Sequence, residues 1–458
     1  MNRVIPKILS VLMTIVICIL MVSLVCSVVI YLFGFSRTPT YELDADTIRQ
    51  ARESENKIDL TDYLDYRIVA PCFSAVCSST GVDYCFIGGN ESQQNFYNQI
   101  DDVIYALFNE NTKVTFISEN EGNDIWKERL LGDGVFLEWM SYVRKSAIFY
   151  NLFPDLYGQN ISNEAIKCIM IYPVEDGFEA MAKVGADGFA LYKPSENTSV
   201  SFNYKRIEME YPLTFKFAAS DSTIDESFNT QINVLPECLL IDELTRSDLN
   251  IVSTLKPDNQ SPYLNAFKIN TVKASSYIDD AKNYVYVDED TTLVIGEKGV
   301  FYNSDTRNGI HISSFIGNSD EYEIKDYLCI CNKLLHDLQI DIETTNIFIS
   351  DIYYSNDYLT VSYGFKYDNV PLQFGGVSNP IKFVFKDNVL VSASVYNYSI
   401  SEAETQTSII QYLSMVSYLL KDEKGNVDFR LFYNSENGVE IISWMAQHEE
   451  YSVPGEEP

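Results

Sequence analysis

The run LTVSYGFKYDNVPLQFGGVSNPIKFVFKDNVLVSASV, Leu359 to Val395, sets the fold class. In its first third Leu359, Val361, Tyr363, Phe365 and Tyr367 alternate with Thr360, Ser362, Gly364 and Lys366. A period of two is that of a strand with one face covered. Ile381, Phe383 and Phe385 repeat it, and Lys386-Asp387-Asn388 supplies a turn into Val391, Ala393 and Val395. Upstream, Ile324, Leu328, Cys331, Leu335 and Leu338 recur at three- and four-residue spacing and form one apolar helix face. A strand is expected over Asn346 to Tyr354. A second helix is expected to carry Ile409, Leu413, Val416 and Leu420, and two more strands flank Ser435-Glu436-Asn437-Gly438. A helix packed on an antiparallel sheet buries both apolar faces. Residues 320–447 are therefore expected to form an α+β domain, with 448–458 as a tail.

Residues 208–319 form a middle β-rich region, rich in Thr, Ser, Asn and Tyr. Near its end three short apolar strands, Tyr284 to Val287, Thr292 to Ile295 and Val300 to Tyr302, alternate with Asp288-Glu289-Asp290-Thr291 and Gly296-Glu297-Lys298-Gly299. That pattern is a meander. Residues 60–207 form an N-terminal α+β domain. Tyr66 to Cys77 reads as a strand. Asn90-Glu91-Ser92 can cap a helix with apolar positions Phe96, Ile100, Val103, Ile104, Leu107 and Phe108. Strands are expected over Lys113 to Ile117, Ala165 to Tyr172, Gly177 to Val184 and Gly188 to Tyr192. The fold class expected is α+β: one N-terminal transmembrane helix, then two or three antiparallel-sheet-plus-helix domains.

The transmembrane element is Ile8 to Phe35, ILSVLMTIVICILMVSLVCSVVIYLFGF, without a charged side chain. A helix needs about 20 apolar residues to cross about 30 Å of hydrocarbon. The run is too long for the apolar region of a signal peptide, and it offers no clear cleavage site. Residues 1–36 thus read as a cytoplasmic tip and anchor, and 37–59 as a polar stalk. Arg3 and Lys7 precede the helix, and Arg37, Arg49 and Arg52 follow it, so basic residues alone do not orient it. The acidic excess lies wholly beyond the anchor, and an anionic cytoplasmic leaflet would repel it. The expected localisation is the cell membrane, single-pass, N-terminus cytoplasmic and body extracytoplasmic.

The chain has 458 residues and a net charge of -32, which argues against nucleic acid as a partner. Seven cysteines fall in the body, Cys72, Cys77, Cys85, Cys168, Cys238, Cys329 and Cys331. An odd number at irregular spacing is a poor disulfide framework and suits small buried hydrophobes. Cys72 with Cys77 or Cys85 is the pairing left open.

VYVDEDTTLVIGEKGVFYNS (285–304), YEIKDYLCICNKLLHDL (322–338) and YLTVSYGFKYDNVPLQFGGVSNPIKFVFKDNVLVSASVYNYS (358–399) together resemble the YycH/YycI family. The resemblance implies a bacterial protein with one N-terminal anchor and a multidomain extracytoplasmic body. It implies a regulator of a sensor histidine kinase of cell-wall homeostasis, and so a membrane kinase and a second anchored regulator as partners. The bilayer itself is contacted through residues 8–35.

Candidate chemistry is sparse. The three histidines are His311, His336 and His448, and His336 reads as a helix-surface residue. No HExxH or GxSxG motif occurs. Cys329 and Cys331 lack CxxC spacing and point in different directions on a helix. Asp288-Glu289-Asp290 begins like a calcium loop, but Leu293 stands where Gly is needed, so it reads as a turn. No catalytic residue, metal ligand or cofactor is assigned, and the chain reads as a non-enzyme. Ser10, Thr14 and Cys18 lie four residues apart on one face of the anchor, where small side chains let membrane helices approach closely. The other readings are a binding module for a cell-wall polymer or peptide and, more weakly, a cell-wall hydrolase with a carboxylate pair.

Overall fold

The computed structural model describes residues 60–79, 83–86, 95–156, 161–162, 164–185, 188–195, 200–208, 213–220, 232–241, 243–317, 322–340, 347–355, 357–374, 379–410, 425–436 and 439–448. The run 8–35, its face of Ser10, Thr14 and Cys18, the stalk 37–59 and the tail beyond 448 lie outside them. Among the described residues no helix is long and apolar enough to cross a membrane.

The described chain is α+β and sheet-dominated, with few helices. The first sheet has nine strands, all antiparallel to their neighbours. Their order is Leu239–Ile241, Leu213–Phe217, Asp83–Phe86, Phe73–Cys77, Gly134–Arg144, Ala165–Val174, Gly177–Val184, Gly188–Lys193 and Lys113–Ser118. The second sheet opens with the meander Ser275–Ile278, Tyr284–Asp288, Thr291–Ile295 and Val300–Asn303. Val389–Val395, Ile381–Lys386, Tyr358–Tyr367 and Val370–Gln373 follow in space. Gly425–Glu436, Val439–His448, Glu243–Ser253 and Tyr398–Ile410 complete the order. The strands of 208–319 are thus shared between the two sheets.

Helix Ile324–Asp337 shows how sequence becomes packing. Its first turn closes with a capping box between Glu323 and Asp326. Ile324, Leu328, Cys331 and Leu335 are buried as their spacing requires, and so are Cys329, Ile330 and Asn332. The extra burial has a cause on each side. Tyr327 meets the Phe385 ring of the second sheet at 5.1 Å, while Lys325 lies over Tyr150 of helix Lys145–Leu152. Strand Tyr358–Tyr367 departs from one-sided cover in the same way, because every residue from Leu359 to Lys366 is buried. At Gly364 a methyl group would come within 2.8 Å of the Phe348 ring, so a larger residue there requires that ring to shift.

Two other readings are corrected. Residues 66–69 form a 3-10 turn capped by Asp65 rather than strand, and the strand begins at Phe73. Ile409 lies in strand Tyr398–Ile410 opposite Leu244, not in a helix. The β-branched Ile400, Thr405, Thr407 and Ile409 suit that long ladder; residues 411–424 lie outside the described ones. All seven body cysteines are buried and none is in a disulfide.

The two sheets are joined at a pair of irregularities. Strand Gly134–Arg144 loses register with Ala165–Val174 between Glu138 and Val143, which leaves the carbonyls of that stretch without ladder partners. Arg430 of the second sheet supplies the donors. Its Nη1 donates to the carbonyls of Trp139 at 3.2 Å and Met140 at 2.9 Å, and its Nη2 donates to the Glu138 carboxylate. Lys167 donates to the Met140 carbonyl at 2.8 Å. Facing this bulge, strand Ile347–Ser355 slips register between Ile349 and Asp351, and the Ser350 carbonyl there accepts a bond from the Ser141 hydroxyl.

Arg430 and Glu138 side chains are 2% and 5% exposed, so removing one strands the other in a dry environment. Arg430→Ala is expected to lower the unfolding free energy by about 3–5 kcal/mol in a urea titration. A loss below about 1 kcal/mol, the worth of a surface pair, would contradict this weld.

Candidate functional site

A cleft of about 770 Å³ opens on the described surface. One wall is the 3-10 turn Leu60–Tyr63 with Leu64, Asp65 and Arg67. The other is the C-terminal end of helix Ile324–Asp337, with Gln339 and Ile340 beyond it.

Asn332 fixes the two walls together. Its Nδ2 donates to the Tyr63 carbonyl at 2.9 Å, and its Oδ1 accepts from the Tyr363 hydroxyl at 3.0 Å. Asn151 anchors the turn from below by accepting the Asp65 backbone N–H at 2.9 Å. Asp65 in turn accepts both the backbone N–H and Nε of Arg67, each at 2.9 Å. On the helix side Lys333 pairs with Asp337, and its amine lies 5.8 Å from the Tyr63 ring centre. His336 is largely exposed and meets Tyr63 edge-on at 5.7 Å.

Asp65 and Asp337 therefore have cations beside them, while Asp62 is exposed at the mouth. Tyr63 is the aromatic carbocycle among the lining residues, and no Ser, Thr or Cys lines the opening among the described residues. This surface can hold a polar peptide segment by hydrogen bonds and one aromatic contact. It brings no Ser, Thr or Cys next to His336 among the described residues; the neighbour of its Nδ1 is the Asp337 carboxylate at 3.7 Å.

A second feature lies inward, in the seam between the sheets. Lys366 is 1% exposed, and its amine has no hydrogen-bond partner among the described residues. Burial pushes its pKa down from 10.5 to about 8, only partly offset by Asp65. Elsewhere buried charges are engaged. Lys145 sits beside Ser162 and Glu164 and over the Tyr192 ring, while Glu237 accepts from Trp126 Nε1 at 3.3 Å and from Lys183 at 3.0 Å.

The residues singled out by sequence do not converge here. His311 is exposed on a short strand, and His336 alone of the histidines lines the cleft. Cys329 and Cys331 are buried within their helix. Glu289 sits in a turn at φ 51°. Ser10, Thr14 and Cys18 lie outside the described residues. Among the described residues, no group of three His, Cys, Asp or Glu is placed to hold a metal ion. Sequence reasoning missed Asn332, Lys366, Glu138 and Arg430. Each carried a signal, a polar or charged side chain set inside an apolar run.

No protein-family model matches the chain, and no curated protein matches it in sequence. Among solved structures it is similar to YycH from Bacillus subtilis, with a TM-score of 0.55 and 15% identity. The likeness covers 85% of this chain and 96% of that one. The chain therefore has a YycH-like fold, as the resemblance led one to expect.

Lys366 gives a pH test. Between about pH 8 and about pH 10.5 the unfolded chain holds this proton and the folded chain does not, so its penalty is full below that window and fades as pH rises through it. Lys366→Met is expected to stabilise the protein by roughly 1–3 kcal/mol near neutral pH. The gain should shrink toward zero near pH 10 in paired urea titrations. A gain independent of pH would contradict a charged, desolvated Lys366.

Proposed function

We propose that this protein is a membrane-anchored, extracytoplasmic regulator that acts by protein contact on a sensor histidine kinase, without catalysis of its own. The observation that carries the reading is the fold correspondence, which covers 85% of this chain rather than one module. The quoted stretches 285–304, 322–338 and 358–399 point to the same family.

The physical chemistry agrees. The buried polar groups at Asn332, Glu138 and Arg430 are used in holding segments together. The open cleft has the mixed polar surface of a docking site rather than an enclosed reaction chamber. It starts at Asp62, directly after the stalk in sequence. The apolar run 8–35 supplies the anchor and places regulator and kinase in one bilayer. Control of a kinase then requires contacts that differ in free energy between two kinase conformations. The anchor face of Ser10, Thr14 and Cys18 and the cleft around Tyr63 are the two surfaces on which such a difference can arise.

Two experiments separate these surfaces. Ser10→Leu with Thr14→Leu is expected to reduce recovery of the kinase with this chain from solubilised membranes; undiminished recovery would remove that face from the account. Tyr63→Ala with His336→Ala trims one half-buried and one exposed side chain and should leave the chain folded, by its thermal unfolding transition, while altering output of a kinase-dependent reporter. An unaltered reporter at equal protein level would exclude the cleft.

A further inference from the structure

The second sheet ends on a strand of four residues with an open outer edge. Ser275–Ile278 pairs on one side with Tyr284–Asp288 and on the other side with nothing among the described residues. Natural edges are blunted by charge, proline or a bulge. Ala274 to Ile278 contains none of these, and its register with the inner strand is regular. Tyr277 is 56% exposed, Ile278 59%, and Val272, just before the strand, 93%.

The free hydrogen-bonding groups can be assigned. The Asp279 N–H donates to the Asn283 carbonyl at 3.0 Å, and the Lys282 N–H donates to the Asp279 carbonyl at 3.0 Å. That turn makes Asp279 a hydrogen-bonded position toward the inner strand. In an antiparallel ladder such positions recur every second residue, so Tyr277 and Ser275 also face inward. Ser276 and Ile278 turn their N–H and C=O groups out to the open edge.

We propose that this edge binds a second copy of the chain, antiparallel and centred on Tyr277, so that two sheets become one. In that register Ser276 of each copy lies opposite Ile278 of the other, and the four outward groups of each copy find partners. Tyr277 faces Tyr277 of the second copy at a non-hydrogen-bonded position, where side chains approach closely and aromatic pairs are favourable. Charge selects this partner and this direction. The strand has Lys273 at one end and Asp279-Asp280 at the other. An antiparallel copy sets the basic end of each against the acidic end of its mate, while a parallel copy sets like against like. The strand itself carries no charge, so two strongly acidic chains can meet here with little repulsion.

The test uses the full-length chain in its membrane, with Tyr277→Cys and mild oxidation. With Cys18 and Cys26 replaced by Ser in every version, a reducible species of doubled mass is expected with Tyr277→Cys and not without it, since the seven body cysteines are buried. Adding Ser276→Pro removes one outward N–H per copy and leaves the inner ladder intact, so the doubled species should be lost. Three results would each overturn the proposal: no doubled species, a doubled species that survives Ser276→Pro, or a disulfide from position 277 to a different protein.

Discussion

The buried contact of Arg430 with Glu138 and the Trp139 and Met140 carbonyls is the constraint on which the two halves of the body depend. A strand that breaks its ladder inside a protein leaves carbonyls that water cannot reach. The second sheet answers with a guanidinium whose planar fork can serve several acceptors at once, which a lysine could not do in the same geometry. The apolar core runs without interruption from Ile68 to Ile442 across both sheets, so the polar seam is embedded in it rather than standing in for it. Apolar packing supplies the bulk of the stabilisation, and the directional bonds fix which register of sheet against sheet is occupied.

The legible part of the fold was local. Alternation in Leu359 to Tyr367, the helix face from Ile324 to Leu338, and the turns at Glu289 and Gly296 to Gly299 depend on near neighbours, and each stands where its pattern places it. Strand pairing over long separations was not legible. Leu213–Phe217 joins the first sheet and Glu243–Ser253 the second, though both come from one compositionally uniform stretch. Ile409 illustrates the ambiguity of a short apolar spacing, because helix and strand fit Ile409 equally well until its partner Leu244 is known.

The site was less legible than the fold. Glu138 in VFLEWM and Arg430 in VDFRLFY stand out as charges in apolar strands, yet nothing in sequence says that they meet. Asn332 hides in a helix face for the same reason. The cleft forms only because residues 62–67 return to the far end of a helix, where Asn332, 269 positions on, holds Tyr63. Its opening toward solvent and its paired carboxylates suit a surface that is touched by another protein.

The account stands or falls on direct action on a kinase. The sharpest measurement is the autophosphorylation rate of the kinase, co-reconstituted in lipid vesicles with the full-length chain at increasing ratio. A rate that shifts to a plateau with the intact chain, and does not shift with the same chain unfolded beforehand, is the predicted result. A rate that stays constant at saturating ratio would contradict it.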